Sequence, residues 1–231
     1  MSLAGTEYPK IHSLFKRDMD DPKHPMLYGV WAHPEFAYLQ YDGWEFTEKV
    51  DGMNIRVVLD ETGKFHFGGR TADASIPAKL VAHLQELFLP LREELCSAFP
   101  NGIKFYGEGY GAKIQKGGGN YRQDQGFVLF DVRVGNWWLP RADMLSLAET
   151  FGVEVVPFVG SGTLHDALRL VEEGFKSEWG DFAAEGVIAK PAVPLFTSNG
   201  SRVITKVKTR DFANMQYINR ERVRNLIGGS S

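Results

Sequence analysis

A lysine followed by a turn signal is the first feature of this sequence that could carry out chemistry. Lys49 stands two residues before Asp51-Gly52 in TEKVDGMNIRV, between two runs that are typical of β-strands. A lysine amine attacks as a nucleophile only when it is neutral, so it needs a site that disfavours its charge. The Asp-Gly pair predicts a turn that presents the amine at the end of a strand. A solvated turn without catalysis explains the same four residues, so Lys49 alone leaves both interpretations open.

Other polar candidates follow in the next eighty residues. Asn54 lies in the strand after Lys49, Arg70 lies in FGGRT, and Glu108 lies among glycines in FYGEGYG. This glycine-rich stretch lacks the spacing and the strand–helix context of a dinucleotide-binding loop, which excludes that interpretation. Phe130 lies in the apolar strand GFVLFDVRV, and by itself it predicts a core residue.

Two lysines near the C-terminal end of the sequence share one face of a predicted strand. Lys206 and Lys208 are two residues apart in RVITKVKTR, and side chains at this spacing point to the same side of a strand. Two neighbouring ammonium groups are unfavourable unless an anion lies between them, and a nucleotide phosphate is such an anion. Glu185 begins the preceding predicted strand, EGVIAK.

Composition restricts the class of protein. The chain has 231 residues, with 43% hydrophobic and 24% charged residues, as expected for a globular protein of one large or two small domains. No apolar run approaches the roughly 20 residues that span a bilayer, and no secretory signal precedes the first strands. The single cysteine, Cys96, excludes an internal disulfide and predicts an intracellular, cytoplasmic setting.

The pattern of elements predicts an α+β domain. Strands outnumber helices and do not alternate with them regularly, which favours largely antiparallel sheets over a doubly wound fold. The predicted strands cover residues 44–50, 53–60, 64–68, 103–108, 127–134, 136–139, 153–159, 185–190 and 202–208. The predicted helices cover residues 76–97, with a break at Pro90, and residues 140–152, 163–174 and 210–226.

The ordered set of motifs resembles a known superfamily over about residues 45–210. KVDG, an arginine, GEG, a Phe-Asp strand, EGVIAK and KVK occur in the order found in covalent nucleotidyltransferases, the polynucleotide ligases and RNA capping enzymes. The chain is most similar to phage-type ATP-dependent RNA ligases that seal nicks in duplexed RNA. Glu48, Asn54 and the stretch GAKIQKGGGNY carry this similarity. The resemblance implies an ATP-grasp-like fold of two largely antiparallel sheets with flanking helices, with the nucleotide in the cleft between them.

The resemblance also implies how the reaction proceeds. Lys49 attacks the α-phosphate of ATP, releases pyrophosphate and becomes a lysyl-AMP. Asn54 is similar to the asparagine needed when AMP passes to an RNA 5′-phosphate, before that end is joined to a 3′-hydroxyl. Lys206 and Lys208 are expected to hold the α-phosphate, and Glu185 to bind Mg²⁺ or Mn²⁺. A divalent ion with one or two protein carboxylates suits such phosphoryl transfer.

The remaining candidates are assigned to the nucleoside by the same resemblance. Glu48 is expected to contact the adenine edge, and Phe130 to stack on the base. Arg70 and Glu108 are expected to contact the ribose and the phosphate.

Alternatives remain within and outside the superfamily. DNA ligases and GTP-dependent capping guanylyltransferases generally carry an OB-fold after the Lys-x-Lys motif, and 23 residues follow Lys208 here. The other class is a nucleotide- or RNA-binding module without catalysis. We expect an adenylylation domain at residues 1–209 and a short basic helix at 210–231, without an OB-fold or a full C-terminal domain.

The basic end of the chain predicts an RNA partner. Residues 202–224 contain seven basic and two acidic side chains, a local charge of +5. Such a helix alone would give modest, salt-sensitive binding to RNA, so a partner protein or a homodimer is expected to add to it. No membrane association is expected.

Overall fold

The protein is α+β, as its sequence predicts. The computed structural model describes residues 5–71, 74–212 and 216–217, and within these residues thirteen strands form two five-stranded sheets and one three-stranded sheet, with six flanking α-helices. The chain divides into two compact units. The first unit comprises Met1–Pro9, Val50–Pro157 and Glu178–Phe182, and the second comprises Lys10–Lys49, Phe158–Ser177 and Ala183–Ser231.

The strands in chain order are β1 (His12–Ser13), β2 (Phe15–Arg17), β3 (Met26–Trp31), β4 (Trp44–Glu48), β5 (Met53–Leu59), β6 (Phe65–Gly68), β7 (Ile103–Gly111), β8 (Gln125–Val134), β9 (Trp137–Trp138), β10 (Phe158–Gly162), β11 (Gly186–Pro191), β12 (Thr205–Lys208) and β13 (Gln216–Tyr217). The helices are α1 (Pro34–Tyr38), α2 (Ala78–Phe88), α3 (Arg92–Ala98), α4 (Arg141–Phe151), α5 (Leu164–Glu173) and α6 (Thr209–Phe212).

The first unit is built on one antiparallel sheet with the strand order β6-β5-β7-β8-β9. One face of this sheet carries the core, to which α2 contributes Leu80, Leu84 and Phe88 at four-residue spacing. A 3-10 turn at Leu89–Leu91 separates α2 from α3. The predicted break at Pro90 is confirmed, because proline cannot donate the backbone hydrogen bond that a continuous helix requires.

The second unit contains the other five-stranded sheet, in the order β1-β12-β11-β4-β10, and the small sheet β13-β3-β2. The pairs β11–β12, β11–β4 and β10–β4 are antiparallel, whereas β1–β12 and β13–β3 are parallel. Helix α5 buries Leu164, Leu168 and Val171 in the core of this unit. It begins with a capping box between Thr163 and Asp166, at the start of the helix predicted over residues 163–174.

Two sequence predictions are wrong. A strand over residues 153–159 is not formed, because this segment joins β8 only through hydrogen bonds of Leu129 with Glu154 and Val156. Pro157 cannot continue such a ladder, and β10 begins at Phe158. The single helix over 210–226 is also wrong, since α6 ends at Phe212 and β13 pairs with β3. The rest of that segment, residues 213–215 and 218–226, lies outside the described residues. The predicted domain boundary at 209 stays a prediction.

No helix within residues 5–71, 74–212 and 216–217 combines the length and apolar character needed to cross a membrane.

Candidate active site

Lys49 directly follows the last residue of β4 and is still tied to the sheet. Its backbone N–H donates to the carbonyl of Gly186 at 2.9 Å, which extends the β4–β11 ladder one residue beyond Glu48. The side chain is 19% exposed. The predicted position of this lysine at the end of a strand is therefore confirmed.

Glu185 joins Lys49 to Lys208 inside the second unit. The Lys49 ammonium donates to Oε2 of Glu185, and the Lys208 ammonium donates to Oε1 at 2.8 Å. The backbone brings these residues together, because Glu185 precedes β11 and Lys208 lies opposite Gly186 on β12. Burial raises the pKa of Glu185, but the charge of Lys49 and the contacts with both lysines outweigh it and leave the pKa below its usual value. The three side chains thus form a compact ionic cluster with an ionised carboxylate at its centre.

Lys206 and Lys208 lie on the same face of β12, as predicted. They are half-buried and alternate with the buried residues Thr205 and Val207. The anion that contacts Lys208 in this structure is the carboxylate of Glu185. Glu185 therefore supplies part of the negative charge that the two neighbouring lysines of β12 require.

Glu48 is the last residue of β4 and lies opposite Val187 of β11. It is 1% exposed. Burying a carboxylate is costly unless hydrogen bonds compensate. A ligand group next to Glu48 is therefore favoured when it can donate a hydrogen bond to this carboxylate.

Asn54 and Glu108 are direct cross-strand partners in the first unit. Asn54 of β5 pairs with Glu108 of β7, and Glu108 pairs with Val128 of β8. Ile55, which follows Asn54, belongs to the core, so Asn54 and Glu108 occupy the opposite face of the sheet. The Oδ1 atom of Asn54 is buried and accepts no hydrogen bond within the part of the chain that the structure describes. A buried acceptor of this kind is suited to a donor on a ligand.

Phe130 occupies a β-bulge in β8. Tyr106 of β7 pairs with Asp131 and Gly107 pairs with Leu129, so Phe130 is the extra residue between them. It is half-buried and packs against the cluster of Val50, Tyr110, Val128 and Val156 instead of the main core. The bulge directs Phe130 away from the core that its apolar strand predicts for it.

Arg70 follows β6 in the first unit. It is exposed and lies two residues beyond the end of β6. Among the described residues, no hydrogen bond or ion pair connects it with Asn54, Glu108 or Phe130.

The turn after Lys49 has supports that the sequence did not reveal. The backbone N–H of Asp51 donates to the Tyr121 hydroxyl at 3.2 Å, and Gln115 Nε2 donates to the carbonyl of Gly52 at 3.0 Å. A Cβ atom on Gly52 would lie 2.3 Å from the carbonyl oxygen of Gly109, so close backbone approach requires glycine here. Gln115 and Tyr121 both belong to the stretch GAKIQKGGGNY. The sequence singled out this stretch only through its similarity to RNA ligases.

A divalent metal fits this donor set only if the nucleotide supplies most of its ligands. No group of three or more histidine, cysteine or acidic side chains suited to a metal occurs among residues 5–71, 74–212 and 216–217. Mg²⁺ in nucleotide sites commonly uses one or two protein carboxylates, with phosphate oxygens and waters completing the shell. The ionised Glu185 carboxylate meets that requirement.

Comparison with known protein families identifies one that covers most of the chain. The sequence profile of the family described as RNA ligase matches residues 42–208, which contain all nine candidate residues. The chain therefore belongs to the RNA ligase family. No curated protein sequence matches it.

The fold is also that of solved RNA ligase structures. A mutant of Naegleria gruberi RNA ligase with ATP and Mn superposes with a TM-score of 0.62 at 18% identity, covering 78% of this chain and 52% of that one. The same ligase with PPi gives a TM-score of 0.62 at 17% identity, covering 89% and 58%. A mutant with AMP and Mn gives a TM-score of 0.62 at 17% identity with the same coverage. The present chain thus spans between 52% and 58% of the length of these structures.

Proposed function

We propose that this chain is an ATP-dependent RNA ligase that joins 5′-phosphate and 3′-hydroxyl ends through a lysyl-AMP and an adenylylated RNA 5′ end. The observation that carries the proposal is the convergence of Lys49, Glu185 and Lys208. It combines a nucleophile, a metal-binding carboxylate and a phosphate-binding cation in one cluster. Membership of the RNA ligase family supports the substrate class.

The first step forms a bond between Lys49 Nζ and the α-phosphorus of ATP. The bond from that phosphorus to the oxygen bridging to the β-phosphate breaks, and pyrophosphate leaves. The amine must lose a proton and leave its contact with Glu185 before it attacks. Lys206 and Lys208 neutralise charge on the α-phosphate, which is the main contribution a protein makes to phosphoryl transfer.

ATP phosphates and Glu185 are alternative anions for the lysines of this cluster. In the structure described here, Glu185 satisfies Lys49 and Lys208. A bound triphosphate brings its own negative charge to the same cations. A bound Mg²⁺ or Mn²⁺ supplies additional neutralisation of that charge, and Glu185 is the residue suited to hold it. The Naegleria structures with ATP, AMP and Mn support this choice of cofactors.

The remaining candidate residues hold the nucleoside. Glu48 accepts a hydrogen bond from the adenine amino group, and Phe130 stacks on the ring. Arg70 and Glu108 contact the ribose and phosphate. Arg70 is exposed, so its side chain is accessible to a ligand.

RNA enters in the second step. AMP passes from Lys49 to the RNA 5′-phosphate, which restores the amine and creates a 5′–5′ pyrophosphate linkage. Asn54 serves this transfer, and its buried acceptor atom supports a ligand-binding role. A 3′-hydroxyl then attacks the adenylylated phosphate and releases AMP. A partner protein or a second copy of the chain adds to the affinity for RNA. The reaction takes place inside the cell.

The deciding experiment is transfer of label from α-labelled ATP to the protein. With Mg²⁺ or Mn²⁺ we expect a covalent adduct that maps to Lys49. Lys49→Arg should abolish it because arginine stays protonated, whereas Lys64→Ala, at an exposed lysine, should not. An adduct on Lys49→Ala would refute the mechanism.

A panel of substrates then defines the reaction. Nicked RNA duplex, nicked DNA duplex and single strands are each incubated with the adenylylated protein. Preferential sealing of RNA supports the proposal. Preferential sealing of DNA favours a DNA ligase, labelling from GTP alone favours a capping guanylyltransferase, and no adduct with either nucleotide favours a non-catalytic binding module.

A further inference from the structure

Residues 5–9, here called the strap, lie against the first-unit sheet on the face that carries Asn54 and Glu108. Arg56, two residues after Asn54 on the same face, is fully buried and donates through Nη1 to the Thr6 hydroxyl at 3.0 Å. The same nitrogen lies 3.3 Å from Oε1 of Glu7. A buried guanidinium between two strap residues fixes where the strap crosses the sheet.

Tyr8 is the residue of the strap that reaches the candidate base-binding ring. Its hydroxyl donates to Oδ2 of Asp131 at 2.5 Å, and Asp131 is only 2% exposed. Its ring meets Phe130 at a centroid distance of 4.9 Å and an angle of 72°. It also contacts the rings of Tyr106 and Trp138 at 5.2 Å and 5.6 Å. Tyr8 is therefore held at its hydroxyl by a carboxylate and around its ring by three aromatic residues.

The bulge in β8 explains why one tyrosine can hold both neighbours. In a regular strand, adjacent residues point to opposite faces, so Phe130 and Asp131 could not both meet Tyr8. Because Phe130 is the extra residue, Leu129 and Val132 both face the core, and Phe130 and Asp131 lie between them outside it. The Tyr8 hydroxyl bonds one residue of the bulge, and the Tyr8 ring packs on the other.

We infer that Tyr8 is a positioning residue for nucleotide binding, which fixes the orientation of the Phe130 ring before the base arrives. The inference rests on the proposed function, because it takes Phe130 as the ring that stacks on adenine. An edge-to-face contact restrains the plane of a ring without stacking on it. A ring already restrained loses less conformational freedom when a base stacks on it, so the base binds more tightly.

The strap thereby becomes part of the nucleotide site although it carries none of the family motifs. Tyr8 and Phe130 are more than a hundred residues apart in the sequence. Asp131, which accepts the Tyr8 hydrogen bond, is 123 positions from Tyr8. The inferred effect is on binding and not on the chemical step. KM for ATP in adenylylation should therefore rise when Tyr8 is lost, while kcat changes little.

The test is a double-mutant cycle on Tyr8 and Phe130, with adenylylation followed as a function of ATP concentration. We expect Phe130→Ala to raise KM by about tenfold or more, in line with the usual worth of base–aromatic stacking. Tyr8→Ala should raise KM severalfold, and the double variant should be no worse than Phe130→Ala alone. Tyr8→Phe keeps the ring and should stay closer to the parent. Tyr38→Ala, at a tyrosine that is 87% exposed, is the matched control.

The KM-against-kcat split separates positioning from loss of folding. A variant that is partly unfolded lowers the active fraction, so kcat falls at constant KM, and that result for Tyr8→Ala would overturn the inference. Strictly additive effects of Tyr8→Ala and Phe130→Ala would also overturn it, because Tyr8 would then act independently of Phe130.

Hydrogen exchange gives a readout that does not depend on activity. Tyr8→Ala should accelerate amide exchange at residues 128–131, and Tyr38→Ala should not. Accelerated exchange in a protein that forms no adduct would show that Tyr8 restrains residues 128–131, and it would overturn the proposed function together with the role of Tyr8 in nucleotide binding. If Phe130→Ala raises KM but Tyr8→Ala changes neither KM nor exchange, the proposed function stands and this inference fails.

Discussion

Lys208 Nζ lies 2.8 Å from one oxygen of the Glu185 carboxylate, and the other oxygen of the same carboxylate contacts Lys49. One carboxylate thus balances two ammonium groups, one from the residue after β4 and one from the end of β12. Removing the carboxylate leaves two partly buried cations without their shared anion, which costs more than the loss of either contact by itself.

Glu185→Gln should slow adenylylation by well over tenfold. The amide keeps the size of the side chain but loses the charge that Lys49, Lys208 and a divalent ion require. Single-turnover labelling with ATP at saturating Mg²⁺ measures the effect. Glu173→Gln, at an exposed residue that ends α5, should behave as the parent. Equal rates for Glu185→Gln and the parent would remove Glu185 from the mechanism.

Lys206→Ala and Lys208→Ala should each slow adenylylation by more than tenfold, because each removes a fixed cation from a centre where negative charge develops. The two variants should differ in stability. Lys208→Ala leaves Glu185 with Lys49 as its one remaining partner in the cluster described above. Lys176→Ala, at an exposed lysine of the same unit, is the control. Unchanged rates in both variants would show that β12 does not hold the α-phosphate.

Glu48→Gln should relax the selection of ATP over GTP. A carboxylate only accepts hydrogen bonds, so it favours the amino group of adenine and opposes the carbonyl that guanine presents at the same position. A glutamine amide can turn and donate to that carbonyl. The ratio of kcat/KM for ATP and GTP should fall by tenfold or more relative to the parent. Glu45→Gln on the same strand is the control, and an unchanged ratio in Glu48→Gln assigns base selection elsewhere.

Gly52→Ala should disturb the turn that follows Lys49. The added Cβ would lie 2.3 Å from the carbonyl oxygen of Gly109, and backbone on both sides must move to relieve the clash. Overpacking of this kind costs about 1–3 kcal/mol, which urea denaturation can measure. Gly117→Ala meets nothing closer than 3.9 Å and should be tolerated. A Gly52→Ala protein of parental stability and adenylylation rate would show that the turn can shift freely.

Asp60 should contribute stability that depends on pH. It accepts hydrogen bonds from the Thr62 hydroxyl at 2.6 Å and from the backbone of Lys64 at 3.0 Å, and His66 Nε2 lies 2.7 Å away. The Thr62 hydroxyl, and after it His66, hold the pKa of Asp60 well below its usual value. The unfolded chain therefore binds this proton more readily, so the stabilisation is present above about pH 4 and is lost as pH falls further.

Asp60→Asn tests this directly. At pH 7 it should lower the free energy of unfolding by about 2 kcal/mol, as expected for losing hydrogen bonds to a charged group. The difference from the parent should shrink near pH 2. Urea denaturation at both pH values is the measurement, with Glu61→Gln at the neighbouring exposed residue as the control. A difference that stays constant with pH would mean that the charge of Asp60 contributes nothing.

Local sequence signals located most of the elements that carry the site. The β4–β5 break at Lys49, the two lysines of β12 and the split between α2 and α3 each follow from a pattern of a few residues. These features depend on turn chemistry, strand periodicity or the missing N–H of proline, and each of these acts within a few positions of the chain.

Contacts that join distant segments could not be predicted in the same way. The pairing of Glu185 with Lys49 spans 136 positions, and that of Tyr8 with Asp131 spans 123. Nothing in the residue types around Tyr8 indicates a partner. The exclusion of Phe130 from the core was equally hidden, because an apolar residue in an apolar strand carries no local sign of a bulge.

Because Phe130 is the extra residue of the bulge in β8, its ring could be lost without changing which residues of the strand face the core. Before it, Phe127 and Leu129 face the core, and after it Val132 and Val134 do so. Removing the single residue Phe130 would leave Asp131 directly after Leu129, with every core-facing position still in alternation. An insertion of one residue is thus enough to add an aromatic ring to this sheet, and a deletion of one residue is enough to remove it, without exchanging the inside and the outside of the strand.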